Sequence, residues 1–178
     1  MKSSLPTKLP VSGWNWYGHY SLPIQFAGIV LVLFGWVLFV TLSNPEHAVP
    51  TSGEIGGLGL VSACLLTIAG LVVRRQRRVL ALEHYETHED AGENFRRLIA
   101  LASNEGWKIG VADPGHLQMH VPARWRDFCW GEMVSVFLER NNVALNSICD
   151  PTKSKPSIAS FGRNALNVDK VKTALQII

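Results

Sequence analysis

The sequence predicts an α+β protein: a two-helix transmembrane hairpin followed by a cytoplasmic two-layer domain, with a mainly antiparallel sheet of four or five strands and helices on one face. Three observations lead there. Two uncharged stretches, residues 24–42 and 55–73, are each 19 residues long. Beyond them, apolar and polar residues alternate in short runs, as strands with one buried face require. Those runs are flanked by segments whose apolar residues recur every three or four positions, the period of a helix. Helix, strands, helix is the order of an antiparallel sheet covered on one face.

The first apolar stretch, IQFAGIVLVLFGWVLFVTL, has only Gln25 and Thr41 as clearly polar side chains. At ~1.5 Å per residue it spans roughly the hydrocarbon core of a bilayer as a helix. It starts far into the chain and ends in Ser43-Asn44-Pro45 without a small-x-small site, so it reads as a retained helix rather than a signal peptide. The second stretch, IGGLGLVSACLLTIAGLVV, is too long and apolar for an ordinary buried helix in so small a chain and is expected to cross back.

Lys and Arg resist translocation, whereas acidic residues count for little. The connector has Glu46 and Glu54 but no basic residue, while Arg74, Arg75, Arg77 and Arg78 follow the second helix and Lys2 and Lys8 precede the first. Both termini are therefore expected on the cytoplasmic side of a bacterial inner membrane, with the protein crossing it twice. The four arginines are expected to meet lipid headgroups, at about 1 kcal/mol each near an anionic surface. The organisation expected is a leader over residues 1–22, a hairpin with its basic cluster over 23–78, and a soluble domain over 79–178.

The net charge of +3 belongs to the hairpin. From Val79 onward there are 11 Lys plus Arg against 12 Asp plus Glu, so the domain gives no electrostatic support to a nucleic-acid partner. The membrane lipids and other membrane-protein subunits are the partners expected. Cys64, Cys129 and Cys149 form no CxxC pair and are expected as free thiols.

Along the chain, residues 1–12 read as a loosely ordered leader with Pro6 and Pro10. Trp14, Trp16, Tyr17 and Tyr20 follow, an interfacial anchor in which apolar rings carry polar tips. The second apolar stretch bears small residues on one face: Gly56, Gly59, Ala63, Thr67 and Gly70. That face is expected to receive either the first helix, through Gly28 and Gly35, or a partner subunit. Residues 79–88 are expected to continue the helix, with a break near Ala91-Gly92. Phe95, Leu98, Ile99 and Ala102 then mark an amphipathic helix stopped by Gly106. Trp107, Ile109 and Val111 alternate into one hairpin with Leu117, Met119 and Val121, and residues 132–139 and 143–149 form a second around Asn141-Asn142. Residues 157–161 are a candidate edge strand. Val168, Val171, Leu175 and Ile178 trace the face of a closing helix capped by Asn164 or Asn167.

Several residue groups carry possible binding chemistry. His84 and His88 would share a helix face and could chelate a metal, but no third ligand is fixed by spacing and HEXXH is absent, so a solvated face is expected. Arg124, Trp125, Arg126, Phe128 and Trp130 combine arginines with aromatics, the residues that anchor protein contacts; membrane contact and plain core packing are the alternatives. Lys153, Lys155 and Arg163 could gather at the start of the last helix as an anion site. No nucleophile with its base, carboxylate pair, metal set or cofactor fingerprint is present in the sequence, so no enzyme, metal or cofactor is expected. The function expected is a non-catalytic accessory or scaffold subunit of a larger inner-membrane complex. The alternative is a membrane-anchored sensor whose domain binds a small anion or lipid headgroup.

Overall fold

A computed structural model describes residues 4–11, 13–43, 52–123, 131–153 and 162–177. The chain forms two compact units, one made of Met1–Gly18 with Arg78–Ile178 and the other of His19–Arg77. Two long helices, α1 (Gly13–Ser43) and α2 (Ser52–Val79), precede an α+β arrangement. It consists of β1 (Glu83–Glu86), α3 (Ala91–Glu105), β2 (Lys108–Asp113), β3 (His116–Val121), β4 (Glu132–Glu139), β5 (Asn142–Cys149) and α4 (Arg163–Ala174). The strands form one antiparallel sheet in the order β1-β5-β4-β3-β2.

Strand alternation places Leu117, Met119 and Val121 of β3, Val134, Val136 and Leu138 of β4, and Val143 and Leu145 of β5 on one face. They pack with Leu98 and Ala102 of α3 and with Val168, Val171 and Leu175 from the last helix and its end. Helix α3 begins earlier than its apolar period suggests. Asp90 accepts the Glu93 N–H at 2.8 Å and so caps the helix, which makes Ala91-Gly92 its first turn and not a break. Its end is as expected: Gly106 adopts φ 67° and returns its N–H to the Ala102 and Ser103 carbonyls.

Five expectations are corrected. Residues 83–86 form β1 rather than a helical extension, because β5 has an open edge and pairs Glu83 with Leu145 through Glu86 with Asn142. His84 and His88 therefore share no helix face. In β2 a bulge between Ile109 and Val111 breaks the alternation: Ile109 stands opposite the buried Met119, though it is 43% exposed in this edge strand, whereas Val111 stands opposite Gln118 on the other face. Gly110 sits at that bulge, where a Cβ would press on the His120 ring. The β4–β5 turn places its positive φ on Arg140 (52°), one residue before the asparagine pair. Helix α4 starts after Gly162 without a side-chain cap. Asn164 and Asn167 lie inside it and bond Ser147 of β5, at 3.2 and 3.3 Å.

The fifth correction concerns the leader. Its residues dock on the second face of the sheet, where Leu9 is buried with Leu80, Met133 and Ile148, and Val11 and Phe137 pack alongside. The candidate edge strand at 157–161 lies outside the described residues.

Candidate functional site

Two helices are long and apolar enough to cross a membrane, over Trp16–Ser43 and Gly56–Val79. Only 6% and 11% of their most apolar windows are buried within the chain. Leu31, Val32, Trp36, Leu42, Leu60 and Leu71 are all more than half exposed. Surface of this kind is stable only against lipid or other apolar helices.

What burial there is follows a pattern. The less exposed positions of α2 include Leu58, Ser62, Leu65, Ala69, Val72 and Gln76, with Val73 beside them, and those of α1 include His19, Pro23, Phe26, Val30, Leu33 and Val37. Both sets advance in alternating steps of four and three, the spacing of a left-handed antiparallel seam. The bonds between His19 and Gln76 join the two sets at one end.

Gly56, Gly59, Ala63, Thr67 and Gly70 are all exposed. At 3.6 residues per turn their stripe is centred about 140° around α2 from the seam. A Cβ built at Gly56, Gly59 or Gly70, or at Gly28 or Gly35 of α1, meets nothing within 4 Å. Within the chain, then, α1 leaves the small-residue face open.

One end of the pair is closed by a reciprocal polar clasp. Pro23 has no N–H, so the His19 carbonyl four residues earlier loses its helical donor. Gln76 of α2 donates its side-chain N–H to that carbonyl at 2.5 Å. The Gln76 carbonyl falls in the last turn of α2, where helical donors run out, and His19 Nε2–H bonds it at 3.3 Å. Two orphan acceptors are satisfied by two side chains. Gln76→Leu should therefore cost about 1–2 kcal/mol of helix-pair stability. In a Pro23→Ala background, where residue 23 supplies its own N–H, the same substitution should cost at least about 0.5 kcal/mol less. Unfolding of the four proteins of this cycle in detergent micelles measures the difference, and equal costs in both backgrounds would refute the assignment.

The aromatic anchor is divided. Trp16 and Tyr17 are about half exposed, whereas Tyr20 is buried with the His19 ring edge-on at 4.8 Å. The side chain of Trp14 lies outside the described residues. Arg74, Arg75, Arg77 and Arg78 are exposed along the last turns of α2.

In the α+β unit the two described cations of the candidate anion site have other engagements. Arg163 Nε donates to Glu132 Oε1 at 2.8 Å, and the Glu132 side chain is fully buried. Lys153 lies 4.0 Å from Asp150, and Lys155 is outside the described residues. So is the segment with Arg124, Trp125, Arg126, Phe128 and Trp130. A cleft of about 230 Å³ opens between Glu105, Trp107, Pro122, Arg163, Leu166 and Lys170, but its Lys170 is paired with Glu105. Among the described residues no three His, Cys, Asp or Glu side chains are placed to hold a metal ion. Cys64 is a free, exposed thiol and Cys149 is half-buried, while Cys129 lies outside the described residues.

One polar pair escapes any reading of the sequence. His120 Nδ1–H donates to Asp150 Oδ2 at 2.8 Å, and the other ring nitrogen is met by the Gln118 amide at 3.3 Å. Asp150 Oδ1 accepts the N–H and hydroxyl of Thr152, at 2.9 and 2.6 Å. The aspartate fixes the turn after β5, and its Pro151 carbonyl sits where a Cβ at Gly18 would fall. With both nitrogens of His120 bonded, the pair braces structure. The Asp150-Pro151-Thr152 turn chemistry is visible in sequence, but the partner 30 residues away depends on the β3–β4–β5 register.

Burial alone would raise the Asp150 carboxyl, but the hydrogen bonds from His120 and Thr152 outweigh it and hold it below its ordinary value. A carboxylate lowered on folding adds stability that is complete above its unfolded value and is lost as pH falls through the folded one. The stability gap between the native chain and Asp150→Asn should be flat at neutral pH and close below about pH 4. Denaturant titrations across pH would show it, and a gap that widens in acid would contradict the assignment. His116 stacks on Phe137 at 4.2 Å, and burial lowers its pKa.

Compared with known proteins, the chain matches no family model, no curated protein and no solved structure.

Proposed function

We propose that the chain is a non-catalytic accessory or scaffold subunit of a larger assembly in a bacterial inner membrane, crossing it twice with both termini in the cytoplasm. The observation that carries this reading is the two-sidedness of α2. Its less exposed positions lie on the side where Gln76 bonds His19 of α1, while the small-residue face, about 140° around the helix, is exposed and lets a second helix approach closely. Trp16 and Tyr17, exposed at the start of the first apolar helix, suit the headgroup level, and the four arginines after α2 oppose its translocation. The sensor alternative draws less support, since Arg163 already faces Glu132 and Lys153 lies near Asp150.

Gentle detergent extraction from native membranes tests the reading. The chain should co-purify with other membrane proteins at fixed stoichiometry, and Gly59→Leu combined with Ala63→Leu should release it. Elution of the unaltered chain as a solitary monomer would overturn the proposal.

A further inference from the structure

Residues 4–11 belong to no helix and no strand of the sheet, yet they are held on it. The Leu9 N–H donates to the Leu80 carbonyl at 2.8 Å and the Leu82 N–H to the Thr7 carbonyl at 3.1 Å, around an isolated antiparallel bridge between Lys8 and Ala81. The Ser4 N–H and hydroxyl both donate to the Glu139 carboxylate, at 2.8 and 2.7 Å. Leu9 is the buried anchor, set among Leu80, Met133 and Ile148. Pro6 and Pro10 flank it, bias the backbone to an extended form and remove donors that would need partners. This is how an extended peptide docks on a protein, with backbone bonds for affinity and a side-chain pocket for specificity.

The segment lies outside the sheet ladder and is held partly by exposed bonds, those of Ser4 to Glu139, and such elements open locally before the core does. Its seat is also incompletely satisfied. Ser135 lies between Met133 and Phe137 on the same sheet face, fully buried, and its hydroxyl has no hydrogen-bond partner among the described residues. We propose that residues 4–11 are a displaceable strap, and that the groove of Leu80, Ala81, Met133, Ile148 and Glu139 is a docking site for an extended partner segment of the same chemistry. Such a segment carries an apolar side chain between prolines, and a hydroxyl and amide that meet Glu139. The strap fills the groove in cis, so a partner segment gains access only to molecules whose strap is open, and its apparent affinity falls by that fraction. The groove and its strap stand whichever way the apolar helices are used.

The probe is a fluorescein-labelled synthetic peptide of residues 2–11, titrated into the full chain in detergent micelles. A Leu9→Asp chain should bind it at least about tenfold more tightly than the native chain does, because its own strap no longer competes. A peptide carrying the same Leu9→Asp change should bind neither. Equal affinities, or no saturable binding to the Leu9→Asp chain, would overturn the proposal. Hydrogen exchange on the native chain tests it without any variant. The Leu82 amide should exchange at least about a hundredfold faster than that of Val136 in the centre of the sheet, and equally slow exchange would show the strap to be fixed.

Discussion

Arg163→Ala should destabilise the α+β unit by about 3–5 kcal/mol, the usual cost of stripping one partner from a buried ion pair. Glu132 opens β4 opposite Val121, with its side chain at zero exposure, and Arg163 is the first residue of α4. The 2.8 Å bond between them pins the start of the helix to the start of the strand. Helix α4 depends on that pin because Gly162 offers no side-chain cap. Replacing both partners by leucine removes the charge together with its need for a partner, so Glu132→Leu/Arg163→Leu should be clearly more stable than Arg163→Ala alone. Chemical denaturation of the three proteins decides the point; a loss below about 1 kcal/mol for Arg163→Ala would mean that the pair behaves as an exposed one.

Leu145→Ala should cost about 2–5 kcal/mol, from lost transfer energy and the cavity left behind. Leu145 has zero exposure in β5, between Val136 of β4 and Glu83 of β1, and it belongs to the cluster packed under α3 and α4. In a unit of this size such a loss lowers Tm by roughly 10 °C or more. Ile109→Ala is the informative control. Ile109 shares its sheet face with the buried Met119, but in the edge strand β2 it stays 43% exposed, so its loss should change stability by no more than about 0.5 kcal/mol. Thermal melts of both variants separate the edge of the sheet from its centre, and comparable losses would contradict the assignment.

The same contrast explains what could be read from the residues alone. The apolar helices, the β3–β4–β5 meander and the buried faces of α3 and α4 rest on patterns local to each segment, with periods of 3.6 or 2 that survive any tertiary context. Strand β1 does not: Glu-His-Tyr-Glu has no strand signature and becomes a strand because β5 needs a neighbour. Leu9 looks like one more apolar residue in a polar leader until Leu80, Met133 and Ile148 are brought beside it.

The membrane helices show an intermediate case. The small-residue stripe was legible, but its direction was not, because both a cis and a trans partner helix satisfy the same spacing. Only the bonds between His19 and Gln76, on the less exposed side of α2, point α1 away from the stripe. Part of the clasp was legible in principle, since a proline at 23 orphans the carbonyl of residue 19 in any helix. The donor that answers it comes from 57 residues further on, a distance that no local pattern bridges.

The most direct test of a partner on the open face is a photo-crosslinking residue placed at Ala63 in the full chain and activated in native membranes, with the buried seam position Ala69 as control. Ala63 should give one discrete adduct with another membrane protein, and Ala69 should react only within the chain. If Ala63 yields lipid adducts and no protein adduct, the face is a lipid surface and the accessory-subunit account fails.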